Sequence, residues 1–186
     1  MNKARSLYRS LLKEFGHQHW WPADSQYEVV VGALLTQNTS WKNVEKAISN
    51  LKKAKALSPK KILKMKKRSL ESLIKPSGFY RQKAERLKAL TKRYIEVIER
   101  GAKPSREDFL SVKGVGKETA DSILLYAFDI PFFVIDAYTK RFCARHKLFK
   151  GKDYDDYREY FEKNLPREMK LYKEYHALIV EWGKRY

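Results

Sequence analysis

Cysteine is almost absent from this chain of 186 residues, in which Cys143 is the only one. A single cysteine excludes an internal disulfide, a zinc site built from cysteines and an iron–sulfur cluster held by four of them. Metal-ligand spacing is also missing among the four histidines, which are His17, His19, His146 and His176. We therefore expect no metal and no cofactor.

Long apolar runs are missing as well. No stretch approaches the roughly 18 apolar residues that are needed to span a bilayer. The N-terminal segment MNKARSLYRSLLKEF has neither the apolar core nor the cleavage site of a secretion signal. The sequence therefore predicts a soluble, cytoplasmic protein with no membrane partner, associated with the nucleoid if the source is prokaryotic.

Acidic residues are few relative to basic ones. The chain has 22 Asp and Glu residues against 40 Lys and Arg residues, which gives a net charge of +18 and an isoelectric point near 9.8. Such a charge costs self-repulsion, and the usual partner is a polyanion, either nucleic acid or an anionic membrane. A lysine-rich surface of the kind found in some heat-adapted proteins is the alternative. An isoelectric point above 9 favours nucleic acid.

The alternation of apolar and polar residues that is typical of β-strands is nearly absent, whereas apolar residues recur at helical spacing along most of the chain. Helix starts are also marked. Ser25 with Glu28 predicts a capping box, Ser105 with Asp108 predicts another cap, and Asp136 is a candidate N-cap. The sequence therefore predicts an all-α fold.

Two glycines interrupt the helical pattern in the segment KGVGKETA, residues 113–120. They permit a sharp turn, and the helix that starts at Lys117 leaves amides unpaired, so the segment can bind an anion beside Lys113. The spacing differs from that of a Walker phosphate-binding loop, so we do not expect ATP binding. Helix, glycine turn and helix together indicate a helix-hairpin-helix element, which grips DNA backbone without reading sequence. A glycine turn between two packed helices is the structural alternative.

This hairpin and other segments resemble the helix-hairpin-helix DNA glycosylases of the endonuclease III type. In that family an apolar run ends in a catalytic aspartate some distance after the hairpin, and the segment PFFVIDAYTKRF places Asp136 there. The segment LLTQNTS is similar to the family's glutamine-bearing loop. A closer resemblance is to the small 3-methyladenine DNA glycosylases, whose four motifs this chain carries: WWP at 20–22, LTQNT at 35–39, PSGFY at 76–80 and KGVGKE at 113–118.

The resemblance implies an architecture and a partner. It implies two helical lobes with a DNA-binding cleft. Residues 23–130 would form the central lobe with the hairpin at 109–120, and residues 1–22 plus 131–186 would form the second lobe. The partner would be double-stranded DNA that contains a damaged base, and the protein would act as a monomer.

The resemblance also implies the site residues. Asp136 would stabilise the oxocarbenium-like sugar or orient the attacking water, and it could cap a helix as well. Gln37 would be the wedge that fills the gap left by the flipped base, with Asn38 as the alternative. A positively charged alkylated purine stacks well on electron-rich rings. The base pocket would therefore comprise Trp20, Trp21, Pro22 and Trp41, although the tryptophans could instead be packing residues. The backbone phosphates would meet Lys113, Gly114, Val115, Gly116, Lys117 and Thr119.

Glu118 departs from the bifunctional members, in which a lysine of the helix after the hairpin attacks the sugar and forms a Schiff base. A carboxylate cannot form an imine, and Lys117 projects about 100° away around the helix. The resemblance therefore implies a monofunctional glycosylase that hydrolyses the N-glycosidic bond of alkylated purines of the 3-methyladenine type after base flipping, without lyase activity. The alternatives are a glycosylase for oxidised or mismatched pyrimidines and a non-catalytic DNA-binding module.

Overall fold

A computed structural model describes residues 2–186. Over these residues the chain forms α-helices and one 3-10 helix, and no strand, so the prediction of an all-α fold is confirmed. The helices are α1 (Lys3–Phe15), α2 (Gln26–Leu35), α3 (Trp41–Lys53), α4 (Pro59–Lys64), α5 (Lys67–Ile74), the 3-10 helix (Lys75–Ser77), α6 (Tyr80–Arg100), α7 (Arg106–Leu110), α8 (Lys117–Phe128), α9 (Ala137–Arg145), α10 (Tyr154–Asn164) and α11 (Met169–Arg185).

Helix starts fall where the sequence predicts caps. Ser25 accepts a hydrogen bond from the amide of Glu28 at 3.2 Å, and Ser105 forms a reciprocal capping box with Asp108. A cap of this kind stabilises a helix by about 0.5–2 kcal/mol. The basic segment after Ser58 forms two short helices, α4 and α5, because the backbone is extended at Met65.

The described residues divide into two compact units. We call Ala23–Ile123 the central unit, and Met1–Pro22 together with Leu124–Tyr186 the terminal unit. The division lies within α8, earlier than the boundary near residue 130 that the resemblance implies. The reason is that the last part of α8 has its buried side-chain contacts with α11, as at Tyr126.

The core of the central unit is built around α2. From Val29 to Leu35 this helix is apolar on all sides, and every residue from Tyr27 to Leu35 is buried. Such a helix is stable only at the centre of a core. Helix α6 packs against it: the Tyr27 hydroxyl lies 2.6 Å from the Thr91 hydroxyl, and its ring centroid lies 5.2 Å from that of Tyr94. Burial of each large apolar side chain contributes about 1.5–3 kcal/mol.

A buried ion pair fixes the two helices on either side of the glycine turn. Arg106 on α7 donates from Nε and Nη2 to the two carboxylate oxygens of Asp121 on α8, at 2.7 and 2.8 Å. The Asp121 side chain is inaccessible to solvent. Removal of one partner from a pair of this kind leaves an uncompensated buried charge, which typically costs about 3–5 kcal/mol. The glycine turn is therefore held from both ends.

Aromatic side chains fill the core of the terminal unit. Phe133 stacks on Phe161 with ring centroids 4.1 Å apart, and the ring of Tyr175 meets both of them edge-on. The Tyr175 hydroxyl donates to the carbonyl of Ala4 at 2.9 Å, which ties α1 to α11. The apolar run that leads into Asp136 is thereby anchored in a rigid core.

Helix α9 contains the only cysteine of the chain. Cys143 is completely buried, and this burial raises the pKa of its thiol to about 12. Because the thiolate is the nucleophilic form, Cys143 is an unreactive, small packing residue.

Candidate functional site

The glycine turn between α7 and α8 is a tight hairpin in the central unit. The amide of Val115 donates to the carbonyl of Val112 at 3.0 Å, and both valine side chains are buried. Gly114 has a φ of 86°, a conformation that favours glycine. A Cβ atom at this position would also lie 2.3 Å from Nε of Arg86. The backbone conformation therefore favours glycine here, and a Cβ atom would also force the Arg86 side chain of α6 to move.

Positive charge surrounds the hairpin. The side chains of Lys113 and Lys117 are exposed, as is Gly116, whereas the buried Val115 can offer a ligand only its backbone. Amides at a helix start, together with lysines, attract anions. A surface cavity of about 600 Å³ adjoins the turn and is lined by Gln82, Glu85, Arg86, Ala89, Lys113 and Gly114.

Gln37, the predicted wedge, is hydrogen-bonded to the hairpin. Its Nε2 donates to the carbonyl of Gly114 at 3.0 Å and to Oγ1 of Thr119 at 2.9 Å, and its Oε1 accepts from Nη1 of Arg86 at 3.3 Å. These bonds occupy both ends of the Gln37 amide. A wedge role for Gln37 would require them to break. Thr119 is buried and its hydroxyl is engaged, so its predicted phosphate contact is restricted to the backbone amide.

Two exposed residues of the central unit lie at the tips of turns. Asn38, the alternative wedge, is exposed with a φ of 51°, and Phe79 is 64% exposed with a φ of 45°. A positive φ is rare for a bulky residue and usually marks a functional or strained position. The sequence pattern does not indicate Phe79 as a site residue. The signal available in the sequence is a phenylalanine directly after a glycine turn, where no core position is expected.

Lys83 on α6 connects the segments that carry Asn38 and Phe79. Its side chain is buried, and its Nζ donates to the carbonyl of Leu35 at 2.8 Å and to that of Ser77 at 2.6 Å. Leu35 ends α2 shortly before Asn38, and Ser77 ends the 3-10 helix shortly before Phe79. Burial, followed by the charge of a neighbouring arginine, lowers the pKa of the Lys83 ammonium to about 8. This lysine therefore fixes the bases of both turns.

The predicted base-pocket residues belong to both units. Trp20 and Trp21 lie together in the terminal unit with ring centroids 5.4 Å apart, and Pro22 follows them at the surface. Trp41 is the first residue of α3 in the central unit, where its Nε1 donates to Oε1 of Glu45 at 3.0 Å. None of the three tryptophans is fully buried, so each retains ring surface that a ligand could contact.

A line of side chains in the terminal unit joins Trp21 to Asp136. The ring centroid of Trp21 lies 5.2 Å from that of Tyr126, and the Tyr126 hydroxyl lies 2.7 Å from Nδ1 of His176. Nε2 of His176 lies 3.4 Å from Oδ2 of Asp136. The sequence pattern does not single out Tyr126 or His176 as parts of this arrangement, because their partners are far away along the chain.

Asp136 caps α9 and keeps one oxygen outside the cap. Its Oδ1 accepts from the amide of Thr139 at 2.7 Å and from the hydroxyl of Thr139 at 2.8 Å, which confirms the predicted N-cap. Burial acts to raise the pKa of the carboxyl, but His176 and the bonds from Thr139 outweigh it and hold the pKa below its ordinary value. The side chain is 15% exposed. A carboxylate that is ionised, largely desolvated and still accessible can stabilise a positive charge that develops on a ligand.

Glu118 lies in the first turn of α8, and its side chain is exposed. The sequence resemblance predicts that this position matches the lysine of the bifunctional glycosylases. A carboxylate there supplies no amine for a covalent bond to a sugar.

In the part of the chain that the structure describes, no three His, Cys, Asp or Glu side chains are arranged to hold a metal ion. Within residues 2–186, no helix has the length and apolar character required to cross a bilayer.

The chain matches a known family over most of its length. The profile of HhH-GPD superfamily base excision DNA repair proteins matches residues 31–167. The chain belongs to this superfamily. The matched range contains the hairpin and Asp136, and the family resemblance that the motifs indicate is confirmed.

Several HhH-GPD proteins resemble the chain almost from end to end. A Methanocaldococcus jannaschii protein that is provisionally named as a DNA repair glycosylase is 54% identical to this chain. The match covers 97% of this chain and 86% of the length of the M. jannaschii protein. Endonuclease III of Thermotoga maritima is 31% identical over 96% of this chain and 82% of its own. The crystal structure of Helicobacter pylori 3-methyladenine DNA glycosylase bound to 1,N6-ethenoadenine has a TM-score of 0.86 at 31% identity and covers 100% of this chain and 98% of its own.

Proposed function

We propose that this protein is a monofunctional DNA glycosylase that removes alkylated purines of the 3-methyladenine type from double-stranded DNA. The observation that carries the proposal is the end-to-end likeness to the H. pylori 3-methyladenine DNA glycosylase, with a TM-score of 0.86 and 31% identity. The product would be a free base and an abasic site, and the protein would act as a monomer.

Asp136 is the proposed catalytic residue. An alkylated purine carries a positive charge and leaves readily, so the reaction needs stabilisation of the oxocarbenium-like sugar more than it needs a strong acid. The lowered pKa of Asp136 supports this role, since the carboxylate is ionised at neutral pH. Its Oδ2 is outside the helix cap and is the oxygen that would face the sugar or the attacking water.

The proposed base pocket comprises Trp20, Trp21, Pro22 and Trp41. A cationic purine gains about 0.5–2 kcal/mol from each favourable contact with an aromatic face. The incompletely buried rings of the three tryptophans support this assignment. Trp41 is the one of the three tryptophans that lies in the central unit, and its replacement by alanine should cost about 1–3 kcal/mol of base binding.

Insertion into the gap left by the flipped base is proposed for the exposed turn residues. Gln37 remains a candidate, but its hydrogen bonds to the hairpin and to Arg86 favour Asn38, which is exposed beside it. Phe79 would insert its ring from the neighbouring turn. Lys113, Gly114, Val115, Gly116, Lys117 and Thr119 would hold the backbone phosphates, with Val115 and Thr119 contributing main-chain atoms only.

The test is chromatography of the bases released from duplex DNA that has been treated with a methylating agent. We expect wild-type protein to release 3-methyladenine, and Trp41→Ala to release it at least several-fold more slowly. Release of thymine, uracil or oxidised pyrimidines from duplexes that contain these lesions, without release of methylated purines, would refute the assignment. Absence of any base release would favour a non-catalytic DNA-binding module.

The likeness to T. maritima endonuclease III supports a second candidate, a glycosylase for oxidised or mismatched pyrimidines. Borohydride reduction distinguishes its bifunctional form, because a Schiff base between a lysine and the sugar is trapped as a covalent adduct. Glu118 leads us to expect no adduct with wild-type protein. A trapped adduct that disappears when one lysine is replaced would establish lyase activity.

A further inference from the structure

The environment of Asp136 contains a feature that the proposed reaction does not yet use. Oδ1 is fully engaged in capping α9, through the amide and the hydroxyl of Thr139. Oδ2, the oxygen that remains for catalysis, faces Nε2 of His176 at 3.4 Å. The His176 side chain is 9% exposed, so bulk water does not mediate this contact freely. The electrostatic environment of the Asp136 carboxylate therefore depends on whether Nε2 of His176 carries a proton.

The hydrogen bond at the other ring nitrogen of His176, Nδ1, indicates whether Nε2 carries a proton. The Tyr126 hydroxyl can donate its one proton to Nδ1 of His176 at 2.7 Å or to the carbonyl of Lys173 at 3.4 Å, and the shorter distance favours Nδ1. Burial, and then the negative charges of Asp136 and Glu174, raise the pKa of Tyr126 well above its usual value, so its hydroxyl keeps its proton. A hydroxyl that donates to Nδ1 makes this nitrogen an acceptor. The proton of a neutral imidazole ring is then on Nε2.

We propose that His176 is a positioning residue for Asp136, and that Tyr126 fixes the ring tautomer in which the Nε2–H group points at Oδ2. The inference rests on the proposed function, in which Asp136 is the catalytic carboxylate. A neutral N–H donor orients the carboxylate and favours its ionised form, yet it adds no formal positive charge. A protonated imidazolium would cancel the negative charge that the oxocarbenium-like sugar requires.

The charged and titratable groups around His176 are consistent with this role. Tyr126 faces it from α8 and Asp136 faces it from the start of α9, while Glu174 lies on its own helix and acts on Tyr126. The contact with Oδ2 is longer and less well aligned than a hydrogen bond. Contacts of catalytic groups in substrate-free enzymes are often long and tighten when substrate binds. Tyr126 also contacts Trp21, so a base seated on that ring would adjoin the same line of residues.

The first test reads the tautomer directly and does not depend on activity. Nitrogen-15 NMR of histidine-labelled protein at neutral pH should show His176 with a protonated Nε2 and an unprotonated Nδ1. Tyr126→Phe should shift the His176 resonances toward a mixture of tautomers, and His176→Gln identifies the signal. A ring protonated on Nδ1, or on both nitrogens, in the wild-type protein would overturn the proposal.

The second test is single-turnover excision of 3-methyladenine from duplex DNA across a pH series. His176→Leu should lower the rate roughly ten- to a hundredfold, the scale of a lost hydrogen bond to a charged group. It should also move the acid limb of the rate profile to higher pH, because the main influence that lowers the pKa of Asp136 is removed. His176→Gln, which keeps an N–H donor near the position of Nε2, should recover much of both effects.

The matched control is His146→Gln. His146 belongs to the same unit, packs against Phe142 and Trp182, and has an Nε2 atom with no hydrogen-bond partner. This variant should leave the acid limb in place. If wild-type protein releases methylated purines but His176→Leu keeps the wild-type acid limb and rate, the role of His176 is refuted while the proposed function stands. If wild-type protein releases none, the proposed function fails, and the NMR result still decides the tautomer.

Discussion

Asp136 combines a structural and a chemical task in one side chain. Oδ1 accepts both hydrogen bonds from Thr139, and Oδ2 faces His176. Because the two oxygens have different roles, a substitution can remove the negative charge that the reaction needs and keep the helix cap. Asparagine is as good an N-cap as aspartate, but it carries no negative charge.

At this scale, Asp136→Asn should lower single-turnover base release by roughly a hundredfold or more because the charge is lost, and it should lower stability only by the contribution of that charge because the cap survives. Excision kinetics and thermal unfolding measure the two quantities. Asp153→Asn is the matched control, since the Asp153 side chain is the N-cap of α10 in the same unit. Base release that persists at the wild-type rate in Asp136→Asn would exclude a catalytic role for the charge.

The carboxylate also contributes to the pH dependence of stability. The pKa of Asp136 in the folded protein lies below its ordinary value. Its ionisation therefore stabilises the fold above the unfolded pKa, and this contribution is lost as the pH falls through the folded pKa. Stability and activity should therefore both fall as the pH falls, so acid conditions weaken both the fold and the reaction.

At the scale of elements, the hairpin and the two exposed turns of the central unit are linked by buried polar contacts. Gln37 joins the turn after α2 to the hairpin, and Lys83 joins the same turn to the 3-10 helix. Each contact satisfies backbone carbonyls that would otherwise be buried without a partner. The turns are therefore held by side chains of helix α6 and of the loop itself.

The hairpin glycines should differ in their tolerance to alanine. Gly114→Ala should destabilise the protein by about 1–3 kcal/mol and weaken DNA binding, because Gly114 has a positive φ and Arg86 occupies the space of its Cβ. Gly116→Ala is the matched control, since nothing lies within 4 Å of its Cβ position. Denaturant unfolding and a DNA-binding titration measure the effects. Equal losses in both variants would contradict the steric account.

The buried ammonium of Lys83 should give stability a specific pH dependence. Its pKa is about 8 in the folded protein, against an ordinary value of 10.5. Between these values only the unfolded chain holds the proton, so stability rises with pH by about 1 kcal/mol per unit from this group alone. Unfolding free energies of wild type and Lys83→Met should therefore diverge in favour of wild type from pH 8 to pH 10.

The comparison with a second variant isolates this effect from the other groups that titrate in the same range. Lys88 lies on the same helix and also donates to backbone carbonyls, those of Leu63 and Met65, but it is less buried than Lys83. Lys88→Met controls for the loss of a lysine that donates to backbone carbonyls from the same helix, so the free energy of unfolding of Lys83→Met is compared with that of Lys88→Met at each pH. A difference between the two variants that does not change with pH would show that Lys83 does not lose its proton in the folded state.

For the whole molecule, the net charge of +18 indicates an attraction to DNA that is spread over the surface. Only those lysines that meet phosphates displace counterions on binding. The hairpin lysines and the lysines of α4 are both exposed, so exposure alone does not separate a DNA contact from a solvated face.

The salt dependence of DNA binding separates them. Replacing Lys113 and Lys117 together by alanine should reduce the slope of log affinity against log salt by about 2, because each phosphate contact contributes close to one unit. The matched control replaces Lys60 and Lys64 on α4, which should leave the slope nearly unchanged. Equal reductions in both double variants would mean that the hairpin is not a preferred phosphate site.

Local patterns in the sequence predict the all-α fold, the caps and the glycine hairpin, because these depend on neighbouring residues. The caps at Ser25, Ser105 and Asp136 are formed as expected. The contacts of Lys83 and the line from Tyr126 to His176 join residues distant along the chain, and no local signal predicts them. Gln37 illustrates the same limit, since its position is predicted but its bonds to the hairpin are not.

The buried Cys143 has a practical consequence for measuring base flipping with a fluorescent label. Its thiol is inaccessible and its pKa is raised to about 12, so thiol reagents at neutral pH should leave the wild-type protein unlabelled. A cysteine introduced at Asn38 or at Phe79 would then be the single site for a fluorescent dye, with no need to remove the natural one. Base extrusion could thus be followed in real time by the fluorescence of this dye, without background from Cys143.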